Sequence, residues 1–319
     1  MQNALLAYVT WDRVVPWKML SLPEQETEGF HPVGFGSNQP VFRKRATAGA
    51  TVWVVTMPRL KGPNGRDKLY APTLVARVQV ASPAPGAVCE TRTRPGLARL
   101  WKQWDCVAEG DPAGSRFFEL NDATPALARL GCPVSRSQSL QVQRRELGKA
   151  LRFIRCCPGG TDQAEAAFAP CMRQAEHDAV FLSYTHAGGG LALGGHAFAL
   201  DLATELLHRG FSPWFDALTL PGFRVSRDGG GPAPRLGQLI RRGIRASRLA
   251  ICVVTKDYTR KRAPGGVNWT AEECAAIMER RRASAGFRYV LVLRGGPDLP
   301  ALGFAPDALG RPDHVFAEE

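Results

Sequence analysis

A chain of 319 residues, 45% apolar and 22% charged, is long enough for two ordinary globular domains. No apolar run approaches the roughly 18 residues of a membrane-spanning helix, and the N-terminus MQNALLAYVTWDRVVPW lacks the basic start and unbroken apolar core of a secretory signal, so a cytoplasmic protein without a membrane partner is expected. The net charge of +12 is uneven: residues 1–175 hold 23 Lys/Arg against 14 Asp/Glu, and the remainder 18 against 15. The N-terminal half is therefore the candidate to face a polyanion, nucleic acid or a nucleotide, through counterion release from phosphates; the alternative is an Arg-rich surface with no ligand.

In chain order, ALLAYVTW (4–11), TVWVVTM (51–57) and TLVARVQVA (73–81) read as strands, rich in β-branched residues and separated by polar or Gly/Pro-containing stretches such as KGPNGRDK (61–68). Two helix-like segments follow, at 93–107 and 139–156. This pattern predicts a small α+β or β-barrel domain over 1–157. The Ala- and Gly-rich stretch 158–177 shows no clear long apolar face and reads as a linker with partly helical character.

From 178 onward the rhythm changes to strand and helix in alternation. AVFLSY (179–184) suits a buried parallel strand, and 196–210 carries Phe198, Leu202, Leu206 and Leu207 on one helical face before Gly210 stops it. FSPWFD (211–216) is the second strand, with Pro213 placing it near an edge. A helix bearing Leu236, Leu239, Ile240 and Ile244 precedes LAICVVT (249–255), the most apolar strand. A helix over 268–284 with Asn268 as N-cap, then RYVLVLRG (288–295) and HVFA (314–317), complete the series. The alternation predicts an α/β domain with an open, doubly wound parallel sheet of five strands over 178–319, whose ligands sit at the carboxyl ends of the strands.

Eight cysteines are thinly spread, none in a C-x-x-C pair, and adjacent Cys156 and Cys157 cannot readily bond to each other; reduced thiols and no metal site are expected. The chemistry-bearing residues lie in the second half. Ser183, Tyr184, Thr185 and His186 end the first strand and open a glycine-rich loop, HAGGGLALGG, suited to backbone contact with a phosphate or to a ligand-free connection. Asp216 ends the second strand, and Leu220, Pro221, Gly222 and Phe223 follow, Phe223 offering a stacking face. Trp269 and Glu273, four apart, share a helix face, whereas Glu272 is turned away from Glu273 by roughly 100°.

In this order VFLSYTHA, RGFSPWFDALTLPG, the third-strand segment and NWTAEEC resemble the Toll/interleukin-1 receptor (TIR) family, whose boxes are (V/I)F(L/I)SY, D…L.PG and W-x-x-x-E. The resemblance implies a flavodoxin-like fold, self-association through the loop holding Leu220, Pro221 and Gly222, and, as in the NAD-cleaving members, a catalytic glutamate at Glu273. It also implies NAD as substrate with no cofactor, bound by Ser183, Tyr184, Thr185, His186, Asp216, Phe223 and Trp269. NAD-cleaving members often carry arginine after the tyrosine, where this chain has Thr185 and His186. The N-terminal pattern FRKRATAGATVWVVTM…APTLVARVQV is similar to PUA/EVE-type barrels.

The first functional reading is an NAD glycohydrolase or cyclase, with a sensing N-terminal domain and a responding C-terminal one, as in prokaryotic anti-phage defence. The second is a non-enzymatic adaptor, or a mimic of host signalling, acting by homotypic TIR contacts. A third keeps the fold and cleaves another nucleotide or nucleic acid.

Overall fold

The computed structural model describes residues 3–21, 30–61, 67–81, 106–184, 195–215, 233–255, 258, 269–294 and 314–318. They form two compact units that divide between Arg173 and Gln174.

The first unit is α+β. Strands β1 (Ala4–Tyr8), β2 (Gly34–Ser37), β3 (Thr51–Thr56), β4 (Arg59–Lys61), β5 (Asp67–Leu69), β6 (Thr73–Gln79), β7 (Cys106–Glu109), β8 (Arg116–Phe117) and β9 (Arg155–Cys156) alternate with helices α1 (Trp11–Leu20), α2 (Pro40–Arg45), α3 (Thr124–Arg129), α4 (Leu140–Ala150) and α5 (Gly160–His177). The main sheet is mixed, in the order β8-β6-β3-β1-β9, with β1 and β3 parallel and the other pairs antiparallel. Both faces are covered, which is why every residue of β3 is buried. One face presents Leu5, Val52 and Val54 to Trp11, Trp17 and Phe42. On the other, Trp53 stacks on Phe168 of α5 with centroids 4.8 Å apart.

Four expectations change here. The segment read as a helix at 139–156 is helical only over α4, and its last two residues pair with β1 as β9. The first strand stops at Tyr8, because Trp11, Val14 and Trp17 turn inward as one face of α1. The segment read as a helix at 93–107 lies mostly outside the described residues, and its last two belong to β7. The stretch 158–177, expected to be a linker, is almost wholly α5. Its Ala164, Ala167, Phe168, Cys171 and Ala175 form a buried stripe at helical spacing, and Glu165 pairs with Arg77 at 2.6 Å.

The second unit is a single parallel sheet. Strands β10 (Ala179–Ser183), β11 (Ser212–Trp214), β12 (Leu249–Thr255), β13 (Arg288–Arg294) and β14 (His314–Glu318) are joined through helices α6 (Gly195–His208), α7 (Ala233–Ala246) and α8 (Trp269–Ala283). The order β11-β10-β12-β13-β14 is that of a flavodoxin-like doubly wound sheet. It puts the Pro213-bearing strand at the edge. Phe181 of β10 stacks on Trp214 at 4.8 Å, and α7 approaches this pair so closely that a Cβ on Gly243 would sit 2.6 Å from the indole. The glycine is therefore a packing requirement of this face.

Candidate functional site

The strand order reverses at β10. The chain leaves it through α6 for β11 on one side and returns through α7 to β12 on the other. This reversal opens a crevice at the carboxyl ends of β10 and β12, where doubly wound sheets bind ligands. Ser183 is the last residue of β10 and is aligned with Cys252 of β12. The first turn of α8 lies at the same edge, since it follows the carboxyl end of β12.

Four side chains from three segments meet there. Ser183 Oγ donates to Glu273 Oε2 at 2.6 Å. Ser183 also bonds the hydroxyl of Tyr258, which in turn lies 3.5 Å from Cys274 Sγ. A serine has one hydroxyl proton, and the carboxylate takes it; Tyr258 must then donate to Ser183 Oγ, and the Cys274 thiol to Tyr258. The chain of donors runs one way and ends on the carboxylate.

Burial sets the protonation that this order requires. It pushes the Tyr258 phenol and the Cys252 thiol well above their usual values, and the Cys274 thiol up to about 12, with the Glu273 carboxylate adding to the shift in each case. All three stay neutral near neutral pH. Ser183 is wholly buried and Glu273 is 8% exposed, so the carboxyl group at the end of the chain is almost fully removed from solvent and is held by a hydrogen bond. Glu272, one residue earlier, is exposed. The helix rotation between the two acidic residues thus turns only one carboxylate of α8's first turn into the crevice.

Tyr184 turns the other way. Strand alternation sends it to the opposite face, where it stacks on Phe215 with centroids 4.9 Å apart. Ser183 and Glu273 come together; Tyr184 does not join them. Trp269 opens α8. Thr185, His186, Asp216, Leu220, Pro221, Gly222 and Phe223 lie outside the described residues. Sequence reasoning missed Tyr258 and the two cysteines. The only signal for Tyr258 is its place three residues past the apolar third strand, where a side chain falls at the crevice.

A parallel sheet in this order, with a buried glutamate on the helix after its third strand, coincides with a match to the family model of the TIR domain over residues 180–311. The C-terminal region is a TIR domain. The match ends just before β14, which adds the fifth strand of the TIR sheet. The family includes bacterial NAD-cleaving enzymes and also non-enzymatic adaptors, and TIR domains commonly self-associate. No curated protein matches the chain. Among the described residues no helix is long and apolar enough to cross a membrane, and no cluster of His, Cys, Asp and Glu has the make-up of a metal site.

Proposed function

We propose that this TIR domain cleaves the nicotinamide–ribose bond of NAD through Glu273. The observation that carries the reading is the buried carboxylate at the switch point of the sheet, aimed by Ser183 and backed by Tyr258. When the bond breaks, its electron pair passes to the nicotinamide nitrogen, which leaves neutral, and positive charge develops on the ribose. The leaving group needs no proton. What lowers the barrier is an anion beside the developing oxocarbenium ion, in a site where water does not screen it. Attack by water then gives ADP-ribose and one proton; attack by an adenine nitrogen of the same molecule gives the cyclic product.

The donor chain suits this role because it fixes Glu273 without neutralising it. Ser183 holds Oε2, and burial keeps Tyr258 and Cys274 from giving up a proton to it. Such a carboxylate is preorganised, and no reorientation is needed during the reaction. The basic first unit then has the role of a sensing domain, and TIR self-association that of assembling the responding one, in keeping with a prokaryotic defence protein.

The same burial favours a second reading, in which Glu273 is a structural anchor of a TIR adaptor. Incubating the full chain with NAD and measuring nicotinamide separates the two. Release that is lost in Glu273→Gln, with the fold intact by circular dichroism, supports the enzyme. A fully folded chain that leaves NAD whole in every assembly state supports the adaptor.

A further inference from the structure

In the first unit a cluster of exposed charge lies on α4 and the turn that follows it. The inward face is fixed by Gln143, Leu147 and Leu151, all buried, with the Gln143 amide donating to the carbonyls of Ser135 and Gln138 at 2.9 and 3.1 Å. The opposite face carries Arg144, Arg145 and Lys149, and Arg152 follows two residues past the helix; all four are exposed. With Leu69 and Gly148 these four cations line an open groove of about 420 Å³. Glu146 is the one acid among them, bonded to Arg145 at 2.9 Å and to Lys149 at 3.2 Å. Those bonds lower its pKa, Arg145 first, so it stays ionised and offsets one of the four charges.

Beside the groove stands an aromatic ring in water. Phe153 is 65% exposed, the highest value of any large apolar side chain described, and the Arg152 guanidinium lies 5.7 Å from its centroid. This exposure is built rather than incidental. The Gln39 amide donates to the Arg152 carbonyl and accepts from the Ile154 N–H, pairing with this segment as a strand would. Ile154 is thereby turned into the core and Phe153 out of it.

We infer that the α4 groove, with Arg144, Arg145, Lys149 and Arg152 for phosphates and Phe153 for a base, is a binding surface for single-stranded nucleic acid. Guanidinium and ammonium groups along one helix face track a phosphate backbone, and a rigidly presented ring stacks any base. A duplex offers no exposed base face for Phe153. An anionic membrane would draw on the same charges, but a single ring at the rim supplies little apolar area to insert. The inference stands apart from the NAD reading, because binding is measured without turnover.

The test is fluorescence anisotropy with the full chain and a labelled single-stranded DNA of about twenty nucleotides, more than one binding module covers, titrated across salt. The wild type should bind at low salt, with log K falling linearly against log [salt]. Arg144→Glu with Lys149→Glu should weaken binding more than about tenfold and flatten the slope by about 1.4, two phosphate contacts at ~0.7 each. Phe153→Ala should weaken it about tenfold and leave the slope unchanged. Glu146→Gln should strengthen it roughly threefold. Gly148→Glu is a second probe should the double variant not fold, because a side chain there meets open space. Any one of three results overturns the inference: no binding at low salt, tighter binding to duplex or to anionic vesicles than to the single strand, or affinity unmoved by both the charge and the Phe153 variants.

Discussion

The crevice of the TIR domain and the groove on α4 handle charge in opposite ways. In the crevice one carboxylate is buried at the end of a chain of donors, with Ser183 bonded to it, Tyr258 to Ser183 and Cys274 to Tyr258. On and just past α4 four cations stand in solvent, and only Glu146 among the groove's neighbours on that helix opposes them. A buried charge depends on each neighbour, so removing one hydrogen bond matters; an exposed patch depends on the sum, so single changes are diluted by water and salt. The first arrangement suits stabilising one transition state, and the second suits holding a long, flexible anion.

Exchanging the two lesions gives the largest effects. Glu273→Gln is expected to cut nicotinamide release from NAD by roughly a hundredfold or more while oligonucleotide affinity stays at the wild-type value. Arg144→Glu with Lys149→Glu should do the reverse. If either variant loses both properties with its fold intact, the separation of the two regions is mistaken.

Ser183→Ala and Tyr258→Phe sharpen the claim that the crevice depends on single neighbours. Ser183→Ala strips the carboxylate of its nearest donor and should cost about 1–3 kcal/mol of stability, together with a fall in kcat at unchanged KM. Tyr258→Phe acts one bond further out, so its fall in kcat should be the smaller of the two. Equal kinetics in both variants would mean that the donor chain does not position Glu273.

Gly243→Ala tests the packing beneath the same face. The added methyl meets the Trp214 ring, a buried wall rather than a flexible end, and the cost should be about 1–3 kcal/mol, seen as a lower Tm. A Tm unchanged or raised would show that α7 shifts freely.

Thiol reactivity gives the smallest effect. Cys156 is exposed, whereas Cys252 and Cys274 are buried with their pKa values pushed upward. Alkylation of the native protein at about pH 9, near the ordinary thiol pKa, should label Cys156 first among the described cysteines by mass spectrometry. Cys252 and Cys274 should stay protected, because burial raises both thiols, that of Cys274 to about 12, and both remain protonated there. Early labelling of Cys274 would show that the crevice opens to solvent in the free protein.

Sequence made the second unit legible because β10 and β12 are nearly continuous apolar runs and α7 carries a strong apolar face: β12 occupies the very residues expected, 249–255. The first unit was harder to read. Val9, Thr10 and Trp11 carry the strand-like run past the true end of β1, and the buried stripe of α5 is made largely of alanines, whose low hydrophobicity hides the packing that Phe168 anchors. In the site, the spacing of Trp269 and Glu273 singled out one carboxylate, but Tyr258 was invisible, because its bond to Ser183 joins positions 75 residues apart. Contacts across a sheet edge follow strand order, which local pattern does not encode.

The central claim is met most directly by incubating the full-length chain with NAD, alone and with the single-stranded oligonucleotide, and quantifying nicotinamide and the ribosyl product by mass spectrometry. The account predicts nicotinamide in amounts equal to the NAD consumed, with none above background from Glu273→Gln. NAD left whole by the assembled protein, or cleaved equally by Glu273→Gln, would contradict it.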